Sequence, residues 1–473
     1  MKTIVKFSPL ILTMALTGCG TLGPAYQRPA TELPAATIKP QSTRTVASVD
    51  WLVWWNSFQD PALNALLDEA AANSADLALT TARIDESRAL LALTHASRFP
   101  IVDASVNANR AQVSENAGKL QPGANPRYNN FQPGLTAAFE IDFWGKFQRA
   151  DEAARARLLG LEASRGAVLA TLYSNVAQSY FAMRSFDAQV TLAEQTFATR
   201  KENLRLQTKR FEGGVVGDLD VQQATAEAAA IEATLIQARQ NQRATEAVLA
   251  GLTGRSPAAI VQPNIARGTA IDVLFSRATV PAELPSDLLS RRPDVIAAEQ
   301  QLIAANADIG QAKAAYYPTI KLTTSVGYES RQLSELFNPS SLFWNLASGL
   351  TQPLFRAGSI DAVVAGANAR KAQATALYVQ AVQGAFKDVH DALNNIAANE
   401  ALVAIADKRI AALREVLRLA NLRYTNGYSS YLEVLNAQRD LSQAESSVID
   451  AKRAQLSGVV ALYKAVGGGW AAP

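Results

Sequence analysis

Cysteine is almost absent. Cys19 is the only one in 473 residues, so no internal disulfide can form and the fold must be held by packing and assembly. Histidine is as scarce: His95 and His390 fall in separate helical patterns, with neither a cysteine nucleophile nor a metal-ligand spacing beside them. No glycine-rich phosphate loop opens a helix after a strand, so nucleotide hydrolysis is not encoded and the chain reads as a non-enzyme without a cofactor. A surplus of one charge is missing too: 45 Lys+Arg face 42 Asp+Glu, which excludes the basic field that nucleic-acid binding requires. After the first eighteen residues no apolar run reaches the ~18 residues of a membrane-spanning helix, so a membrane can be crossed only by strands. Of three methionines, Met1 and Met14 precede Cys19, a shortage of soft ligands that argues mildly against copper or silver as cargo. What is abundant is apolar surface, 48% of residues, ample for a large core.

The N-terminus carries Lys2 and Lys6, then the apolar stretch Leu10–Leu16, too short to span a bilayer. Residues 1–18 are therefore expected to be an export signal. Leu16-Thr17-Gly18-Cys19 resembles the bacterial lipoprotein processing box, which implies diacylglycerol and an N-acyl chain on Cys19. Gly20, rather than Asp, implies sorting to the outer membrane, with 19–50 a lipid-anchored segment.

The rest is a tandem repeat. At one fixed offset Leu204-Arg205-Leu206 matches Leu417-Arg418-Leu419, Arg210 matches Arg423, Gly214 matches Gly427, Val221 matches Val434, Gln242 matches Gln455 and Gly254 matches Gly467. Upstream, Pro100 corresponds to Pro318 at a slightly larger offset, so one copy has lost a few residues before Gly145 or Gly358, a loss expected in a surface loop. The copies are placed at 51–254 and 284–468, with a linker at 255–283 and a tail at 469–473.

Each copy is expected to run helix, strand, loop, strand, very long helix, tight turn, long helix. From Ile101 to Val113, Val102, Ala104, Val106 and Ala108 alternate with Asp103, Ser105, Asn107 and Asn109. Leu135, Ala137, Phe139, Ile141 and Phe143 alternate with polar or small residues in the return strand. The second copy repeats this with Ile320, Leu322, Val326 and Tyr328, then Trp344, Leu346 and Leu350. Asn116, Gly118, Pro122, Gly123, Asn125 and Pro126 mark one hairpin loop and Asn338-Pro339-Ser340 the other. Strands of about ten to thirteen residues with one apolar face suit a bilayer, and Tyr128, Phe143, Trp144, Tyr316, Tyr317 and Trp344 lie where an aromatic girdle would form. A soluble sandwich with one wet face is the alternative. Four strands cannot close a barrel, and open edges in hydrocarbon leave backbone groups unpaired, so the chain must oligomerise. Three copies give about twelve strands and room for a lumen.

Proline is missing from Gly145 to Phe211 and from Gly358 to Tyr424, each long enough for a helix of about 100 Å. The returning segments carry a spacing of three and four: Val221, Ala224, Ala228, Ile231, Leu235, Ala238, Gln242, Thr245, Leu249, and Val434, Ala437, Leu441, Ala444, Val448, Ala451, Gln455, Gly458, Leu462. Such a seam predicts coiling, in a tube wall or in a plain antiparallel rod. The chain reverses around Gly213, Gly214 and Gly217, and again around Asn426 and Gly427, where glycine permits a sharp helix end.

Trp54-Trp55 with Phe58 and Asp60, the run Leu289-Ser290-Arg291-Arg292-Pro293-Asp294 leading to Ala298-Glu299-Gln300, Pro318, and Arg423-Tyr424 with Gly427, Tyr431-Leu432 and Val434-Leu435 together resemble the TolC-like outer-membrane factors, lipoprotein branch. The resemblance covers nearly the whole mature chain. It implies a homotrimer: a twelve-stranded barrel in outer-membrane lipid, continuous with a periplasmic α-helical barrel. It also implies a periplasmic adaptor and an inner-membrane resistance-nodulation-division transporter as partners. Gly213, Gly214, Gly217, Asn426 and Gly427 then become adaptor-docking tips. The gate carries over to Tyr424, Leu432, Glu433, Asn436 and Arg439, with Asp218 and Asp220 at the other tip. Asn436 stands where the family pattern has Asp, which leaves Glu433 alone to carry an acidic ring. A type I protein-secretion duct, a heavy-metal duct and a structural coiled-coil lipoprotein remain as alternatives.

Overall fold

The computed structural model describes residues 21–30, 37–38, 42, 45–46, 50–117, 123, 125–281, 284–285 and 291–471. Cys19, the export signal, Gly118, Pro122, Leu289 and Ser290 lie outside the described residues. A 3-10 segment kinked at Val53, Trp51–Phe58, and α1 (Pro61–Asn73) come first. The first copy continues with α2 (Ala75–Ala96), β1 (Ile101–Gln112), β2 (Arg127–Ile141), α3 (Lys146–Glu212) and α4 (Asp218–Leu252). After the short helices α5 (Pro257–Val261) and α6 (Ile271–Arg277), the second copy repeats the order: α7 (Pro293–Ala314), β3 (Thr319–Tyr328), β4 (Leu342–Thr351), α8 (Ser359–Thr425) and α9 (Tyr431–Ala465). Helix lengths recur between copies: 22 residues for α2 and α7, 67 for α3 and α8, 35 for α4 and α9.

The chain forms two compact units, and each draws on both repeats. The first takes residues up to Pro29, Ile84–Gly160 and Glu299–Leu377; the second takes Ala30–Arg83, Leu161–Ala298 and Tyr378–Pro473. In the first unit the strands form one antiparallel sheet in the order β1-β2-β3-β4. Its register aligns polar rows such as Asp103, Thr136, Ser325 and Asn345 on one face. Apolar rows such as Ala104, Leu135, Val326 and Trp344 share the other.

Two expectations about these strands are corrected. The segments 113–126 and 329–341 are nearly equal in number of residues, so the shortening lies in the strands, 12 and 15 residues against 10 and 10, offset in part by a longer segment between β4 and α8 than between β2 and α3. Phe143 is not in a strand: β2 stops at Ile141 because the Asp142 carboxylate accepts the Gln148 amide, 2.9 Å, and turns the chain into α3. Aromatics do gather at this junction, where Trp144 Nε1 donates to Pro318 O, 2.8 Å, and its ring lies 4.6 Å from Tyr317.

The described residues nearest Cys19 are strapped to this unit. Arg149 Nε donates to Leu22 O at 3.0 Å, Asn306 Nδ2 to Pro24 O at 2.8 Å, and Tyr26 and Arg28 both bind the Glu299 carboxylate. Gly310 makes the approach possible, because a Cβ there would lie 2.3 Å from Leu22 O.

The second unit packs around aromatics. Trp54 stacks on Tyr463 with centroids 5.2 Å apart, and Phe58 meets Phe181 at 5.0 Å. Burial pushes the Tyr463 hydroxyl up to about 12. Asp60, wholly buried, caps α1 through Ala62 N and Leu63 N and also accepts from Tyr180 and from Thr269 N. Arg292 joins three helices: it forks onto Asp294 at the start of α7, reaches Asp388 on α8 at 2.9 Å, and donates to Ala465 O at the end of α9, 2.8 Å.

Candidate functional site

The long helices reverse through two turns built alike. After α3, Val215 N bonds to Arg210 O at 2.8 Å and Gly214 N to Phe211 O at 2.9 Å; after α8, Tyr428 N bonds to Arg423 O at 2.8 Å and Gly427 N to Tyr424 O at 3.1 Å. This six-to-one closure requires a left-handed residue, and Gly214 and Gly427 supply it with φ of +70° and +76°. Asn426 adds a side-chain bond to Leu422 O, 2.7 Å, while Gly213 closes onto Lys209 O and Gly217 precedes α4 without a side-chain cap. The turns expose apolar side chains, Val215 at 67% and Tyr428 at 80%. Such groups suit a protein contact better than bulk water.

Behind the turns the four long helices share a small core. Leu204 of α3, Ala224 of α4, Leu417, Ala420 and Tyr424 of α8, and Tyr431, Val434, Leu435 and Ala437 of α9 pack together. Each residue of the two seams is buried or half-buried, and the small ones let the helices approach closely.

The nominated gate residues divide into two groups. Leu432, Glu433, Asn436 and Arg439 are exposed on α9, opposite its buried side. Tyr424 is half-buried and ties α8 to α3, accepting from Arg210 NH1 at 3.0 Å and donating to Gln207 Oε1 at 3.1 Å, with the Arg210 guanidinium 5.0 Å above its ring. Glu433 lies 3.7 Å from Arg423 across the second turn. At the first turn, Asp218 is exposed and accepts from Gln222, and Asp220 is half-buried; both sit in the first turn of α4, where carboxylates complement the helix dipole.

Arg439 leads to a group that sequence reasoning missed. Its Nε donates to Glu227 Oε2 at 2.6 Å, and the same carboxylate lies 3.6 Å from Arg200 Nε. Arg200 and Glu227 are 4% and 3% exposed, so the carboxylate sits between two guanidiniums in a nearly dry seam joining α3, α4 and α9. Arg200 also donates to Gln438. Burial holds the Arg200 guanidinium below its usual value, against the opposing pull of Glu227. Beside it the Tyr431 hydroxyl is buried without a partner, and burial raises its pKa. A signal for Glu227 was available: it directly precedes the seam residue Ala228, and a charge next to a seam must either reach water or be paired.

Comparison with known proteins places this architecture. The family model for outer membrane efflux protein matches residues 66–255 and 284–468. The cation efflux system protein CusC of Escherichia coli O157:H7 is 35% identical, over 98% of this chain and 99% of its own. The solvent efflux pump outer membrane protein SrpC of Pseudomonas putida is 32% identical, over 98% of each chain. Among solved structures, the CmeC outer membrane channel of Campylobacter jejuni superposes with a TM-score of 0.88 at 25% identity, covering 96% of both chains. With both repeats matched by the model and relatives aligned over nearly their full length, the chain belongs to the outer membrane efflux protein family.

Proposed function

We propose that this chain is the exit duct of a tripartite efflux pump, a homotrimer in which four strands from each copy close a twelve-stranded barrel and the long helices assemble into a periplasmic tube. The sheet carries this reading. Among the described residues β1 and β4 have no strand partner on their outer sides, one face is apolar, and an open edge in lipid costs several kcal/mol for each unpaired group. Closing the sheet with two further copies of the chain removes that cost. An inner-membrane resistance-nodulation-division transporter supplies the energy, and a periplasmic adaptor docks at the Gly213–Gly217 and Asn426–Gly427 turns. Arg439, Glu433 and Tyr424 hold the tip shut until the adaptor binds.

Small organic compounds are the cargo that fits best. Met183 is the only methionine among the described residues and is fully buried, which leaves few soft ligands for copper or silver along a duct. Relatives named for cations and for solvents are about equally similar, so the pump and not the duct is the expected place of selection.

Single-channel recording in planar bilayers, with the oligomeric mass measured in parallel, tests the reading. Small currents from a trimer support a duct closed at its tip, and Glu433→Ala combined with Arg439→Ala is expected to raise them. A monomer without conductance would sink the proposal. Lipidation of Cys19 is proposed on the processing-box resemblance, and the strap at Leu22–Arg28 gives the lipid a fixed attachment close by. Cys19→Ser is expected to leave the barrel able to fold but to weaken anchoring or maturation, read as less protein in the outer-membrane fraction. Normal acylation and sorting of that variant would remove the claim.

A further inference from the structure

One row of the mainly polar face of the sheet combines two glycines with a phenylalanine. Ser105, Gly134, Gly327 and Phe343 are aligned across β1 to β4, between the row of Asp103, Thr136, Ser325 and Asn345 and a row containing Asn107 and Gln132. Phe343 thus places an aromatic ring on the mainly polar face, which also carries Ile101 and Ala138 towards one end, Tyr128 towards the other, and the Lys321 ammonium. Its neighbour Trp344 points to the opposite, apolar face, as alternation requires.

The two glycines explain how the ring is held. A Cβ built on Gly327 would lie 3.1 Å from the Phe343 ring at Cε1, and one on Gly134 would lie 3.8 Å from Cζ. The ring therefore reaches from β4 over β3 towards β2, resting on a strip of bare backbone. The ring is half-buried on this glycine strip, so part of its surface stays accessible. The covered part contributes packing to the sheet, as aromatic cover of strand glycines does. Its accessible part offers a π surface to whatever passes, with the Glu329 carboxylate on the adjacent row.

From this geometry we propose that Phe343, one per protomer, is a contact site on the barrel wall for lipophilic organic cations leaving the duct. The chemistry is cation–π attraction plus desolvation of an apolar solute, beside the Glu329 carboxylate. The inference rests on the barrel reading above.

The test uses the full-length trimer in planar bilayers, with tetraphenylphosphonium added from the barrel side. Transient current blockades are expected, with dwell times shortened several-fold by Phe343→Leu, retained in Phe343→Tyr and unaffected by Trp344→Leu. Absence of blockades in the unaltered protein, or equal dwell times in Phe343→Leu, would overturn the proposal. A second measurement separates this idea from the barrel itself. Cysteine placed by Ser325→Cys and by Phe343→Cys is treated with a membrane-impermeant sulfonated thiol reagent, Cys19 being blocked by its lipid. Labelling of both supports the site. Labelling at 325 but not at 343 refutes the site alone, and labelling at neither refutes the barrel reading. If Phe343→Leu does not assemble, Phe343→Tyr and the labelling pair still decide.

Discussion

Glu227→Ala is expected to open the tip. Without the carboxylate, Arg200 becomes an unpaired charge at 4% exposure, and removing one partner of a buried pair costs about 3–5 kcal/mol. The seam can lower that cost only by letting water reach Arg200, which means separating α3 and α4 from α9. Arg439 loses its 2.6 Å partner at the same time. Resting conductance in bilayers should therefore rise well above that of the unaltered trimer, and more than in Glu433→Ala, whose partner Arg423 is solvated on a half-exposed pair. Glu227→Gln keeps the shape but not the charge and should give an intermediate leak. Unchanged conductance in Glu227→Ala would show that the buried ion group supports the helices without restraining the tip.

Arg292→Ala is expected to lower stability measurably. This guanidinium satisfies Asp294, Asp388 and the Ala465 carbonyl together, so its removal strands acceptors at the ends of α7 and α9. The Asp294 and Asp388 side chains are 43% and 51% exposed and regain water, so the loss is about 1–3 kcal/mol, which should appear as a lower unfolding midpoint of the detergent-solubilised protein. Arg292→Lys should recover only part of it, because a single ammonium cannot reproduce the planar fork. Acid should imitate the mutation. Burial alone would raise the Asp294 carboxyl, but Arg292 overrides it and holds the group below its ordinary value. A depressed carboxylate contributes stability that is fully present above its unfolded value of about 4 and is lost as pH falls through the lower folded value. In the unaltered protein stability should thus fall faster in that acid window than in Arg292→Ala. Parallel acid profiles for the two would remove Asp294 from the account.

Much of the element order was legible because it depends on local rules. Proline-free stretches became α3 and α8, glycine ended them, and the seam of small and branched residues became the buried side of α4 and α9. Alternation located the strands but not their ends. Asp142 stopped β2 through a side-chain bond to an amide six residues on, which no periodicity contains. The motif around Arg292 was recognisable as a resemblance, yet its reason lay in partners far along the chain at Asp388 and Ala465.

The candidate site divides in the same way. Gly214 and Gly427 could be chosen from sequence because a tight helix reversal needs a left-handed residue wherever it occurs. Arg439 could be nominated, but its partner could not. Glu227 lies 212 residues away, and only the packing of α3, α4 and α9 decides that a carboxylate there is buried between two guanidiniums instead of facing water. Phe343 on its two glycines is a further case, since strand register alone brings Gly134, Gly327 and Phe343 into one row. The sequence by itself determined the repeat, the helix lengths, the sharp turns and the two-faced strands, because each follows from periodicity and backbone chemistry within a few residues. Tertiary structure decided which charges are buried and which side chains meet, because those depend on contacts between segments that neither spacing nor composition brings together.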